Sequence, residues 1–171
     1  MKRNALSAAD MRNIKELPDR GVGHLLREAS RTFSAAMQQR LAAHGITLSQ
    51  WLHLRALWDY EGMTQSELSK YLGVEKASST AVLNYLDGRL LIRRVRNRDD
   101  LRVTNLELTA KGKTLLRALI PKAVELNTAA REGLSNKDFA TFIRVLAAIT
   151  ENLQDPADAP RGREGQRRQT D

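Results

Sequence analysis

Cysteine is absent from the 171 residues, which excludes disulfides, thiolate metal sites and a thiol redox switch. Histidine occurs three times, at His24, His44 and His53, in no spacing that would build a zinc site such as HExxH. Aromatic residues are scarce, at 5%. No apolar run is long enough to span a bilayer, and the opening residues carry no signal-peptide core. The sequence therefore reads as cytoplasmic, with no membrane partner. Phosphate-cradling loops of the GxGxxG or GxxxxGKS/T type are missing, and no serine stands in a nucleophile elbow. With no catalytic constellation, no metal cluster and no cofactor motif, an enzyme is not expected.

Positive charge is what the chain has in excess, with 28 Lys and Arg against 20 Asp and Glu for a net +8. Such a balance favours an anionic partner. Five arginines, Arg93, Arg94, Arg96, Arg98 and Arg102, crowd into the hairpin of one stretch, Thr64 to Thr109, around which the rest of the chain is organised. Thr64 followed by Glu67 is a capping-box pattern and opens a helix on which Leu68, Tyr71 and Leu72 face inward. Gly73 closes it with a tight turn. A second helix runs from about Glu75 to Asp87, with Val82, Leu83 and Leu86 as its inner stripe. Lys76, Ala77, Ser78, Ser79 and Thr80 form its outer N-terminal face, where small hydroxylated residues allow approach to base edges and phosphates. By itself the helix pair is also readable as an ordinary hairpin with a solvated, serine-rich face.

Leu90-Leu91-Ile92 then anchors a strand, and Arg93, Arg94, Arg96 and Arg98 follow nearly in succession. Asn97 to Leu101 is turn-like, and Val103 to Leu108 alternates polar and apolar as a half-buried strand does. Arg98 and Arg102 lie at the hairpin tip, suited to the negative potential of a DNA minor groove. Asp100, two residues before Arg102, is positioned to hold that arginine side chain extended. A helix-turn-helix followed by a basic hairpin points to double-stranded DNA, with a solvated charged hairpin as the plainer alternative.

In order and spacing, GITLSQWLHLRAL, TQSELSKYLGV, LNYLDGRLLIRR and the Asp100-Leu101-Arg102 hairpin followed by LELTAKG resemble the MarR (multiple antibiotic resistance regulator) family of winged-helix regulators. The resemblance covers roughly residues 17–153. It implies a mainly α fold with a small β-hairpin wing, in which a winged helix-turn-helix (46–110) is flanked by dimerisation helices (17–45 and 111–153). Residues 1–16 would be an N-terminal arm, loose or crossing to a partner, and residues 154–171 a disordered tail. The implied DNA contacts are Thr64, Gln65, Ser66, Lys76, Ala77, Ser78, Ser79, Thr80, Asn84, Arg94, Arg96, Arg98, Asp100 and Arg102. Three positions depart from the family pattern. Ala81 and Leu101 stand where many relatives carry basic residues, and His53 where an aliphatic one is usual.

The flanking segments read as long helices. Val22, Leu25, Leu26, Ala29, Phe33, Ala36, Met37 and Leu41 stripe a helix expected from about Pro18-Asp19 to His44-Gly45. Ile46 to Tyr60 reads as the next, capped near Leu48-Ser49. Thr109 caps another, in which Pro121 is expected to cause a bend. Gly133 ends it, and Ser135 with Asp138 opens the last. These helices carry more apolar surface than a winged helix needs internally, so a second copy of the chain is the expected partner, giving a two-fold dimer on a pseudo-palindromic operator. The resemblance further implies a small effector, an aromatic carboxylate or its coenzyme A thioester, in a crevice beside the first two helices. His24, Arg27, Arg31, Trp51, His53 and Arg55 are the candidates to bind it. The reading is a ligand-responsive homodimeric repressor, and the alternative is a non-specific architectural DNA-binding protein.

Overall fold

A computed structural model describes residues 21–97 and 100–154. Their elements run α1 (Val22–Ala42), α2 (Leu48–Asp59), α3 (Gln65–Leu72), α4 (Lys76–Gly88), β1 (Ile92–Arg96), β2 (Thr104–Leu108), α5 (Ala110–Ala130) and α6 (Asn136–Leu153). The fold is mainly helical with one antiparallel hairpin, as expected. The described residues fall into two compact units, one ending at Ala130 and the other beginning at Arg131. The expected N-terminal arm, the start of the first helix at Pro18-Asp19 and residues 155–171 of the tail lie outside the described residues.

Local chemistry sets the helix starts. Thr64 caps α3 as its sequence implies: Glu67 accepts the Thr64 N–H at 2.8 Å while Thr64 Oγ1 accepts the Glu67 N–H at 3.3 Å. Those bonds from Thr64 hold the Glu67 carboxyl below the usual carboxylate range. A second capping box starts α2, on Thr47 and Gln50 rather than at Leu48-Ser49. Gly73, at φ 64°, ends α3 in the left-handed conformation that glycine adopts without a steric cost. Helix α5 continues without interruption through Pro121.

The core of the first unit is a leucine cluster contributed by every layer: Leu54 and Leu57 from α2, Leu68 from α3, Leu83 and Leu86 from α4, Leu106 from the hairpin, and Leu116 and Leu119 from α5. Full burial of each such side chain contributes about 1.5–3 kcal/mol. Tyr71, expected inside, is instead exposed and meets the Tyr60 ring edge-on at 5.1 Å. The hairpin pairs Ile92 with Leu108 through Arg96 with Thr104. Its β2 edge is extended by the chain entering α3, where the Leu106 N–H donates to the Met63 carbonyl at 2.8 Å.

The wing base is clamped to the start of α5. Leu90 takes a left-handed φ of 58° after α4. The Thr109 hydroxyl donates to the Leu90 carbonyl at 2.6 Å and accepts the Gly112 N–H at 3.1 Å, capping α5 as expected. Gly112 packs so closely that a Cβ there would lie 2.1 Å from the Leu91 carbonyl oxygen. Only glycine fits.

The apolar stripes at the two ends of the described chain are present but largely unburied. Of α1 only Met37 and Leu41 are buried, while Val22, Leu25, Leu26 and Phe33 are exposed. In the second unit, Ser135 caps α6, accepting the Asp138 N–H at 3.1 Å, and Arg131 stacks on Phe139 at 4.0 Å. No residue of α6 is buried.

Candidate nucleic-acid interface and effector crevice

Helix α4 presents Lys76, Ala77 and Ser78 to solvent in its first turn, with Ala81 and Asn84 exposed further along. Ser66 is exposed on α3. Ser79 has to be corrected: it is fully buried, at 0% exposure, and belongs to the inner face with Leu83 and Leu86. Its hydroxyl lies 3.1 Å from His53 Nε2. Two other expected contacts are engaged within the protein. Gln65 donates to Thr80 Oγ1 at 2.6 Å, and Thr80 donates in turn to the Lys76 carbonyl at 2.7 Å. Thr64 is occupied with Glu67 in the capping box.

Arg94 links the wing to α4. Arg94 donates to Asn84 Oδ1 at 2.9 Å and lies 3.4 Å from the Asp87 carboxylate. On the same strand, Arg93 pairs with Glu107 across the hairpin at 2.6 Å. Arg96, Asp100 and Arg102 are exposed, whereas Arg98 lies outside the described residues. Asp100 does not extend the Arg102 side chain as expected. It accepts the Arg102 backbone N–H at 2.9 Å, because a carboxylate two residues upstream reaches the backbone of a tight turn first. The guanidinium is thereby left at the surface.

Among the six expected effector residues only Trp51 and Arg55 border a crevice. It measures about 370 Å³ and lies between α1, α2 and α5, lined also by Phe33, Ser34, Met37, Leu48, Leu52, Ile120, Ala123, Val124 and Asn127. Its walls are mainly apolar, and Arg55 supplies the cationic group, with Nε held at 2.9 Å by Asp59. His24, Arg27 and Arg31 do not line it; they are exposed on α1, where His24 lies 3.7 Å from Glu28. His53 does not line it either. It is 1% exposed and turned from the crevice, with Nδ1 2.8 Å from the Ser49 carbonyl. Burial pushes its pKa below the ordinary histidine value, opposed by that backbone bond. The α5 side of the crevice escaped sequence reasoning because Ile120, Ala123, Val124 and Asn127 look like one more stripe of a long helix.

The comparisons with known proteins bear on this assembly of reading helix, wing and crevice. Residues 46–104 match the sequence model of the MarR family. The winged-helix segment, residues 46–104, is thus similar to that of MarR regulators. The HTH-type transcriptional repressor NicR of Pseudomonas putida is 28% identical over 151 residues, which is 88% of this chain and 96% of that protein. Among solved structures, the DNA complex of MepR from S. aureus superposes with a TM-score of 0.73 at 24% identity, covering 80% of this chain and 99% of that one, a likeness of fold. BpsR of Bordetella bronchiseptica, whose DNA binding is regulated by 6-hydroxynicotinic acid, reaches a TM-score of 0.68 at 26% identity, over 75% of this chain and 98% of that one. The likeness of this chain is to DNA-binding transcriptional regulators, which are not enzymes. Among its described residues, no helix is long and apolar enough to cross a membrane.

Proposed function

We propose that the protein is a homodimeric repressor that reads a pseudo-palindromic operator and is released from it by an aromatic carboxylate. The observation that carries this reading is the exposed first turn of α4 beside an arginine-bearing wing, the two linked by the bond from Arg94 to Asn84. Lys76, Ala77 and Ser78 are the exposed residues of α4 that meet the major groove, with Asn84 presenting its amide nitrogen. Arg96 and Arg102 reach the backbone and the adjacent minor groove from the wing. Ser66 stands at the phosphates. A second copy covers the exposed apolar side chains of α1 and α6, which supports a two-fold dimer with recognition helices one DNA turn apart.

The crevice suits a flat aryl acid: Trp51 and Phe33 offer ring faces and Arg55 a guanidinium for the carboxylate. Its volume is that of a small-molecule site. Similarity to BpsR makes 6-hydroxynicotinate the first compound to try. Fluorescence anisotropy on the duplex upstream of the gene tests the reading: the acid is expected to release the wild type but not Arg55→Ala. Equal release of both would remove the crevice from the account. Indifference of the wild type to that acid and to benzoate would remove the aromatic effector.

A further inference from the structure

We propose that His53 is a positioning residue for DNA recognition, acting through Ser79 to fix which face of α4 meets the groove. The pair is deeply buried, at 1% and 0% exposure, and joins the middle of α2 to the second turn of α4. A carbonyl oxygen only accepts, so His53 Nδ1, 2.8 Å from the Ser49 carbonyl, must carry the ring proton. That fixes the tautomer. Nε2 is left with a lone pair, and the Ser79 hydroxyl, 3.1 Å away, donates to it. The ring is pinned at one end to its own helix and at the other to α4. Depression of its pKa by burial keeps it in the neutral form this arrangement needs.

Leu83 and Leu86 share the buried stripe of Ser79, at four and seven residues' distance, but apolar contacts have little directionality and tolerate small rotations and slides. The hydrogen bond does not. Its neighbour Thr80 is held from α3 by Gln65 at 2.6 Å, so two successive residues tie α4 to two different helices. Each residue turns a helix by about 100°, and a small azimuthal error at Ser79 would carry Ala77 and Ser78 off the base edges. His53 touches no DNA. Its contribution is orientation, and its loss should lower discrimination between sequences rather than attraction to DNA as such.

The inference rests on the reading of α4 as the recognition helix. The test begins with the duplex that the full-length wild type enriches most from a random-sequence pool. Affinity for it and for a scrambled duplex is then measured for wild type, Ser79→Ala, His53→Leu and the double variant, with the folded fraction of each checked by circular dichroism. Ser79→Ala removes only a hydroxyl and keeps the test open if His53→Leu does not fold. The expected result is a loss of roughly tenfold in the ratio of selected to scrambled affinity, about 1.4 kcal/mol. Scrambled affinity and its salt dependence should not change, and the double variant should be no worse than the more severe single one. An unchanged ratio in folded Ser79→Ala, a parallel loss on both duplexes, or additive effects in the double variant would each overturn the proposal. A wild type that enriches no duplex would overturn the regulator reading and this inference with it. That outcome is distinguishable from one in which the wild type discriminates and every variant matches it.

Discussion

Ser79 lies on the inner face of α4, fully buried and hydrogen-bonded to His53. Lys76 to Thr80 reads as one continuous outer face, yet five consecutive helical residues point all the way around the axis. The corrective signal was in the sequence: Ser79 precedes Leu83 by four and Leu86 by seven, the spacing of an inner stripe. His53 carried a similar sign, a polar ring inside a run of core residues, which must find partners when buried. Its titration gives a first prediction. The unfolded chain binds the proton more readily than the folded one, so the His53 contribution to stability is complete above its ordinary pKa of about 6.5 and is lost as pH falls below it. The urea midpoint of the wild type should therefore drop more between about pH 7.5 and about pH 5.5 than that of His53→Leu. Equal drops would contradict the buried neutral ring. Arg102 gives the second. Its side chain is exposed, so Arg102→Ala should leave the thermal midpoint unchanged while weakening operator binding by about tenfold and shrinking the salt slope by about one charge. Undiminished affinity in a gel-shift titration would remove the wing from the interface.

Among the elements, what was legible was local. The Thr64–Glu67 box, the Gly73 stop, the inner stripe of α4, the alternation of β2 and the Ser135 cap each depend on residues a few positions apart, and the structure has them. What was not legible depends on distant contacts. The Met63 carbonyl on the hairpin edge and the seating of Gly112 against Leu91 join segments that no periodicity connects. The crevice behaves the same way, since its α5 wall becomes a wall only when α1 and α2 pack opposite it. Gly112 yields the prediction at this scale. Gly112→Ala forces a methyl onto a backbone carbonyl that cannot swing aside, and overpacking of this kind costs about 1–3 kcal/mol. Chemical denaturation should show that loss, whereas Gly88→Ala, with open space around its Cβ position, should cost little. Equal effects would mean that the clamp between wing and α5 is slack.

For the whole molecule, charge and unburied apolar surface point to different partners. The excess of 28 basic over 20 acidic residues favours DNA, and this was evident from composition alone. Val22, Leu25, Leu26 and Phe33 on α1 and Phe142, Ile143 and Val145 on α6 remain exposed in a single chain, although their spacing is that of buried stripes. The proposed second copy is what would cover them. Phe142→Glu combined with Ile143→Glu should shift sedimentation equilibrium from dimer towards monomer while helical circular dichroism persists. A variant that stays dimeric would place the interface elsewhere.

As a proposed repressor, this protein reads sequence and does not merely adhere to phosphate. The most direct measurement is fluorescence anisotropy on the duplex upstream of its own gene and on a scrambled duplex of equal length, across a range of salt. Sequence reading predicts that preference for the upstream duplex persists at physiological salt while scrambled binding fades, because base contacts survive screening better than counterion release does. Equal affinities that fall together as salt rises would contradict it, and would make the protein an architectural binder held to DNA by charge.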